Sequence, residues 1–310
     1  MNGARPDPSK GGRMTQGSAG VTTSRLVTLQ PHGDRPPLFV FPGVHGDPET
    51  FKDLASRLGT QRPVLGFRHI GAQRECEPVR QVSRLAQLYA AELRGAQPRG
   101  PYYLFGYSFG GVVAFEVARE LIAQGQRVGL VVMADCPAPG YPKPPPVWER
   151  VRTHAQNLLE GTPAERVRYL RDRVENTVTR ISKLLGFVPY VDEEPQDQEK
   201  APEHIKHVDA ALYEAYNHYQ PMPQCVDVLF LSADTPPDWP TARFDDPLMG
   251  WASALRGRIS QCSVPGAHLS IFAPENVPVL VERIQTALRS AERAASWTPG
   301  PAAASSVKAS

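Results

Sequence analysis

Cysteine is scarce in this chain of 310 residues, and its four copies, Cys76, Cys136, Cys225 and Cys262, form no Cys-x-x-Cys pair. That scatter argues against a zinc site or a disulfide framework, so a reduced, cytoplasmic chain is the expectation. Charge of one sign is scarce too. The formal net charge is +2, with no surplus to hold a nucleic acid or an acidic membrane. Long apolar runs are missing: the longest, around Val128 to Ala134, falls far short of the ~20 residues that a membrane helix needs. The opening MNGARPDPSKGGRM lacks the apolar stretch of a secretory signal. What stands in excess is proline, 32 residues, beside 25 glycines. Together they stay below the roughly 25–30 % of a low-complexity chain, and 41 % hydrophobic residues supply a substantial core. The length fits one large α/β domain or two smaller ones.

Residues 1–24 and 290–310 are rich in small and polar residues without periodicity, and both are expected to be flexible tails. Between them strand and helix patterns alternate, which predicts a mostly parallel sheet flanked by helices. LFVF (38–41) reads as a buried strand, and Asp47-Pro48 supplies an N-cap and a first-turn proline for a helix to about Leu58. PVLGF (63–67) precedes a helix whose apolar face is Val82, Leu85, Ala86, Tyr89, Ala90 and Leu93. YYLFG (102–106) leads into a helix from about Gly110 to Gln124, and VGLVVMAD (128–135) follows. The alternation then breaks. Residues 147–220 carry two helical patterns, one from Val167 to Leu184 and one from Ile205 to Tyr219, separated by the polar segment 191–203. VDVLFL (226–231), a short helix near Gly250–Leu255, RISQCSV (258–264) and a helix over 275–289 restore the α/β pattern. Six of the ten residues from Pro137 to Pro146 are proline, and Pro221 and Pro223 stand at the other end. They read as semi-rigid roots of a helical lid inserted at about 137–223.

The sharpest local signal is Gly106-Tyr107-Ser108-Phe109-Gly110-Gly111, between a strand and a helix. This is the setting of a nucleophile elbow, in which glycines let strand and helix approach and the serine hydroxyl stands above the sheet. Ser108 is the candidate nucleophile, and the Phe109 amide one oxyanion donor. Of the eight histidines, only His268 lies in a loop after a late strand and before the last helix, where the base belongs. Two acids fit: Asp135 and Asp234 each follow a strand, and spacing does not separate them. His204 and His207 share a helix face but lack a third ligand, so a metal site is not expected. His45 and Tyr107 are candidate substrate contacts beside the nucleophile.

Residues 38–58, 98–135 and 264–272, above all GPYYLFGYSFGGVVAFEVA, resemble the thioesterase domains that release products from non-ribosomal peptide and polyketide synthases. The likeness runs from about Arg25 to Arg289 and extends to EAYNHYQPMP (214–223) and Gly250-Trp251. It implies an α/β-hydrolase fold over 25–289 with the lid after the acid-bearing strand. It also implies the triad Ser108–His268–Asp135, which makes Asp234 the lesser candidate, and it puts the second oxyanion donor at the Val44 amide in the loop Phe41-Pro42-Gly43-Val44-His45-Gly46. The substrate implied is an acyl thioester on the phosphopantetheine arm of a carrier protein, with no cofactor or metal. Stand-alone editing thioesterases of the family carry a different first loop and a Pro-Gly-Arg turn where this chain has LGFRHIG, which favours product release over editing. A general carboxylesterase would share the triad without needing a carrier, and an acyl-binding pseudoenzyme would not use it. Segment 143–183 holds nine basic residues against five acidic ones, a candidate carrier-docking surface.

Overall fold

The computed structural model describes residues 25–142, 152, 201–235 and 246–296. Seven strands form one sheet in the order β1-β3-β2-β4-β5-β6-β7. They are β1 (Leu26–Gln30), β2 (Leu38–Phe41), β3 (Val64–Phe67), β4 (Tyr102–Tyr107), β5 (Val128–Ala134), β6 (Val228–Ala233) and β7 (Ile259–Val264). All neighbouring pairs are parallel except β1 with β3. Among the described residues the bounded α-helices are α1 (Lys52–Arg57), α2 (Val82–Ala96), α3 (Phe109–Ala123), α4 (Glu203–His218) and α5 (Val277–Ser296).

Because side chains alternate along a strand, each central strand feeds two cores. In β2, Phe39 and Phe41 pack on the side of α2 and α3, whereas Leu38 and Val40 pack on the side of α1 and α5. β4 divides likewise, with Tyr102 and Leu104 on the first side and Tyr103 and Phe105 on the second. This explains why LFVF reads as a run of apolar residues: both of its faces are covered. The apolar stripe predicted for α2 is the one buried. Asp47 caps its helix as expected, accepting from the Glu49 amide at 3.0 Å, although the first turn is a 3-10 turn, Pro48–Phe51, before α1 begins.

One strand is added and two expectations are corrected. The chain enters the sheet through β1, an edge strand that its half-exposed, weakly alternating sequence did not announce. The pattern near Gly250–Leu255 forms a 3-10 turn, Trp251–Ser253, whose Trp251 indole donates to the Cys136 carbonyl at 2.7 Å. The C-terminal boundary at 290 is too early, since α5 continues to Ser296. Ala291 is buried there, and Glu292 pairs with Arg35 and with the buried Arg62, which also donates to the Pro36 carbonyl. Tertiary contacts thus extend a helix whose composition reads as a tail.

Of the inserted segment between β5 and β6, α4 is described. Val208, Ala211, Leu212, Tyr213 and Ala215 are buried, and Val208, Leu212, Tyr213 and Ala215 join the core that contains α2 and α3. Two tyrosines of the 214–223 stretch fasten it. Tyr216 donates to the Pro137 carbonyl at 3.1 Å, and Tyr219 donates at 2.8 Å to Glu116, a buried carboxylate also paired with Arg119. Burial, reinforced by that carboxylate, raises the Tyr219 phenol pKa, so the phenol remains a donor. The tail expectation for 1–24, residues 297–310 of the tail expected over 290–310, the first lid helix, most of segment 191–203 and residues 143–146 of the proline-rich root lie outside the described residues. No helix among the described residues is long and apolar enough to cross a membrane.

The elbow glycines meet different neighbours. A Cβ at Gly106 would overlap the Gly110 carbonyl, so strand and helix do approach as predicted, whereas a Cβ at Gly110 would overlap the Phe41 carbonyl at the end of β2. The second glycine therefore serves the approach of the neighbouring loop. Gly106→Ala should destabilise the fold by at least ~2 kcal/mol through overpacking, read as a lowered urea midpoint; an unchanged midpoint would disprove this contact.

Candidate active site

The C-terminal ends of β2, β4 and β5 and the loop after β7 converge on one side of the sheet. At the end of β4 the chain turns through Ser108, whose φ of 53° and ψ of −125° are strained for a residue with a side chain. The surrounding backbone holds it there: its amide donates to the Ala134 carbonyl at 2.9 Å and its carbonyl accepts from Gly111 at 2.9 Å. The residue is the N-cap of α3, so the Phe109 amide and the positive end of the helix lie beside its hydroxyl.

His268 begins a 3-10 turn after β7. Its Nε2 lies 3.1 Å from Ser108 Oγ and its Nδ1 lies 2.5 Å from Asp135 Oδ2. Asp135 follows β5 with a φ of 43°, and its Oδ1 accepts from the Ala233 amide at 2.8 Å. A carboxylate only accepts, so Nδ1 of His268 carries the proton and Nε2 is left to accept from the serine hydroxyl. Asp234 bonds elsewhere. Its Oδ1 accepts from the Gly266 amide at 2.9 Å and from the Thr235 hydroxyl at 3.1 Å, which ties together the loops after β6 and β7. The geometry thus separates the two acids that sequence spacing left equivalent.

A cavity of ≈ 240 Å³ opens above Ser108, lined by residues 42–46, Thr50, Phe51, Tyr107, Tyr213, His268, Leu269 and Phe272. Val44 lines it, while the Phe109 side chain is buried against Tyr216 at 6.4 Å between ring centroids. Tyr107, expected to contact substrate, has a further engagement. Its ring stacks on the His268 imidazole at 4.9 Å and its hydroxyl donates to the His268 carbonyl at 2.7 Å. His45 lines the cavity but turns both ring nitrogens to α4, Nδ1 to Asp209 at 2.7 Å and Nε2 to the Tyr213 hydroxyl at 2.5 Å. His204 and His207 instead contact Arg74 and Arg80.

Sequence reading missed Asp209, Tyr213 and His69. Asp209 and Tyr213 are four apart on α4 and so share a face, a signal available from helical periodicity. His69 is buried beneath the first loop, where its Nε2 lies 2.8 Å from the Gly43 carbonyl. Nothing in LGFRHIG distinguishes it.

The Thioesterase domain family model matches residues 36–288. This chain belongs to the thioesterase-domain family. Membership makes cleavage of thioesters its chemistry. The thioesterase chain is 29 % identical over 297 residues to the nonribosomal peptide synthetase atqA of Aspergillus terreus, a match covering 85 % of this chain and 29 % of that protein's length. A solved four-domain nonribosomal peptide synthetase superposes with a TM-score of 0.60 at 26 % identity, covering 85 % of this chain and 20 % of the other. The type II thioesterase YbtT of the yersiniabactin pathway superposes at 0.58 with 19 % identity, covering 86 % of this chain and 99 % of its own, a likeness of fold. The match to atqA spans less than a third of that synthetase's length.

Burial lowers the His69 pKa from the ordinary 6.5, an effect opposed by its bond to Gly43 and by Asp209 and Asp47, and reinforced by His45. With the folded value depressed, the unfolded chain binds the extra proton below pH 6.5, so stability is full above that pH and declines as pH falls toward the folded pKa. Thermal melts from about pH 7 to about pH 5 should therefore lose less for His69→Gln than for the parent protein; equal losses would contradict a neutral buried imidazole.

Proposed function

We propose that this thioesterase takes an acyl, peptidyl or polyketide chain from the phosphopantetheine thioester of a carrier protein onto Ser108 and releases it in secondary-metabolite biosynthesis. The observation that carries the reading is the continuous relay Ser108–His268–Asp135 at the floor of a cavity beside a helix N-terminus. Ser108 Oγ attacks the thioester carbonyl as His268 Nε2 takes its proton. The amides of Phe109 and Val44 stabilise the oxyanion, and Asp135 holds the imidazole in the required tautomer and stabilises its cationic form. On collapse the C–S bond breaks and His268 returns the proton to the departing thiolate. Water, or a hydroxyl or amine of the chain itself, then loses its proton to His268 and attacks the acyl-serine. The product is an acid, a lactone or a lactam, and the enzyme is regenerated. Each step uses side chains and amides of the chain alone, without a metal or cofactor.

Tyr107 holds His268 from behind, and His45 with Tyr213 borders the space for the acyl chain. The carrier would dock by charge complementarity, but most of the basic segment 143–183 lies outside the described residues. Release is favoured over editing by the PGVHG loop and the LGFRHIG turn noted above.

Three variants and a mass measurement test the reading. With acyl N-acetylcysteamine thioesters, Ser108→Ala should give no acyl-enzyme in the intact mass. Asp135→Asn should lose two or more orders of magnitude in turnover, and Asp234→Asn should retain it. Loss confined to Asp234→Asn would reverse the assignment of the acid. Oxyesters turned over as fast as the matching thioesters, with no gain from carrier-bound substrate, would replace the reading with a general carboxylesterase.

A further inference from the structure

His69 is buried and titratable, and the mechanism above gives it no part. Its Nε2 lies 2.8 Å from the Gly43 carbonyl oxygen, and it is not among the residues that line the cavity. A carbonyl cannot donate, so the ring nitrogen must carry the proton and His69 is the donor. The same oxygen also accepts from the Gly46 amide at 2.9 Å, which engages both of its lone pairs. The residue reaches this place because β3 lies parallel beside β2, with Val40 opposite Gly66, so the chain leaving β3 runs beside the loop leaving β2.

The Gly43 carbonyl and the Val44 N–H belong to one peptide, and that peptide is trans. A planar trans peptide points its carbonyl and its N–H in opposite directions. The carbonyl faces the buried imidazole, so the N–H points away from it, and the Val44 residue that carries it borders the cavity. A hydrogen bond to the carbonyl also polarises the amide and strengthens its N–H as a donor.

We propose that His69 is a positioning residue of the oxyanion hole: its imidazole N–H fixes and polarises the Gly43–Val44 peptide so that the Val44 amide meets the developing oxyanion. The inference rests on the reading of Ser108 as nucleophile and Val44 as a donor. His69 touches neither substrate nor reacting atoms, so its effect is on the transition state and not on ground-state binding.

The test compares His69→Phe, which removes the donor, with His69→Gln, whose amide can place a donor where Nε2 stands. With an octanoyl N-acetylcysteamine thioester, His69→Phe should lower kcat by about 10- to 100-fold, less than deletion of a donor, with KM within about two-fold. Binding of an alkyl boronic acid, which forms a tetrahedral adduct on Ser108, should weaken in parallel. His69→Gln should restore both to within about three-fold. A purely structural role would lower the melting temperature of both variants and leave kcat and boronate affinity in the folded fraction unchanged, and that result overturns the proposal. Should His69→Phe not fold, nitrogen NMR of the unmutated protein decides the matter. An Nε2–H tautomer whose signal moves on boronate binding supports the proposal, and an Nδ1–H tautomer or an unmoved signal sinks it. Ser108→Ala turning over normally would defeat the parent reading; an inactive Ser108→Ala beside a fully active His69→Phe would defeat this inference alone.

Discussion

The site depends on a contact between backbones. Gly106 and Gly110 have no Cβ, so the end of β4, the first turn of α3 and the carbonyl that closes β2 meet at distances no side chain would allow. This close approach does two things at once. It bends the chain so that Ser108 takes its strained conformation at the mouth of a helix, and it brings the loop after β2 against the same serine, with Gly43 beside the Ser108 Cβ. Ser108 and the first loop are therefore positioned by one packing event, not by separate ones. The strain at Ser108 persists because the sheet and α3 over-determine it.

Around that contact each remaining group is held by a bond in which one partner is backbone. Asp135 is oriented by the Ala233 amide, His268 by its own carbonyl through Tyr107, and the first loop by the Gly43 carbonyl through Gly46 and His69. Ser108, Asp135, His268 and the first loop each follow a different strand and are steadied by a neighbouring strand or loop. A parallel sheet supplies such neighbours in register.

The parts of this arrangement visible in the sequence are those with a local cause. The elbow glycines, the Asp47 cap, the stripe of α2 and the doubly buried β2 all follow from residues within a few positions of one another. His268 was found by its place between a strand and the last helix. The choice between Asp135 and Asp234 was hidden because both follow strands, and their difference is which loop amide each carboxylate meets. β1 and the end of α5 were hidden for a related reason. Their stability comes from partners far along the chain, β3 for one and Arg62 for the other. His69 is the extreme case, a side chain whose partner is a carbonyl 26 residues away.

His45 joins two elements that are far apart in the chain. It follows Val44 directly, and its ring is held between Asp209 and Tyr213 of α4. Moving that helix outward means parting with both bonds and releasing the residue beside a proposed oxyanion donor. The first loop is thus held from two directions, by α4 through the His45 ring and by the chain after β3 through His69 at the Gly43 carbonyl.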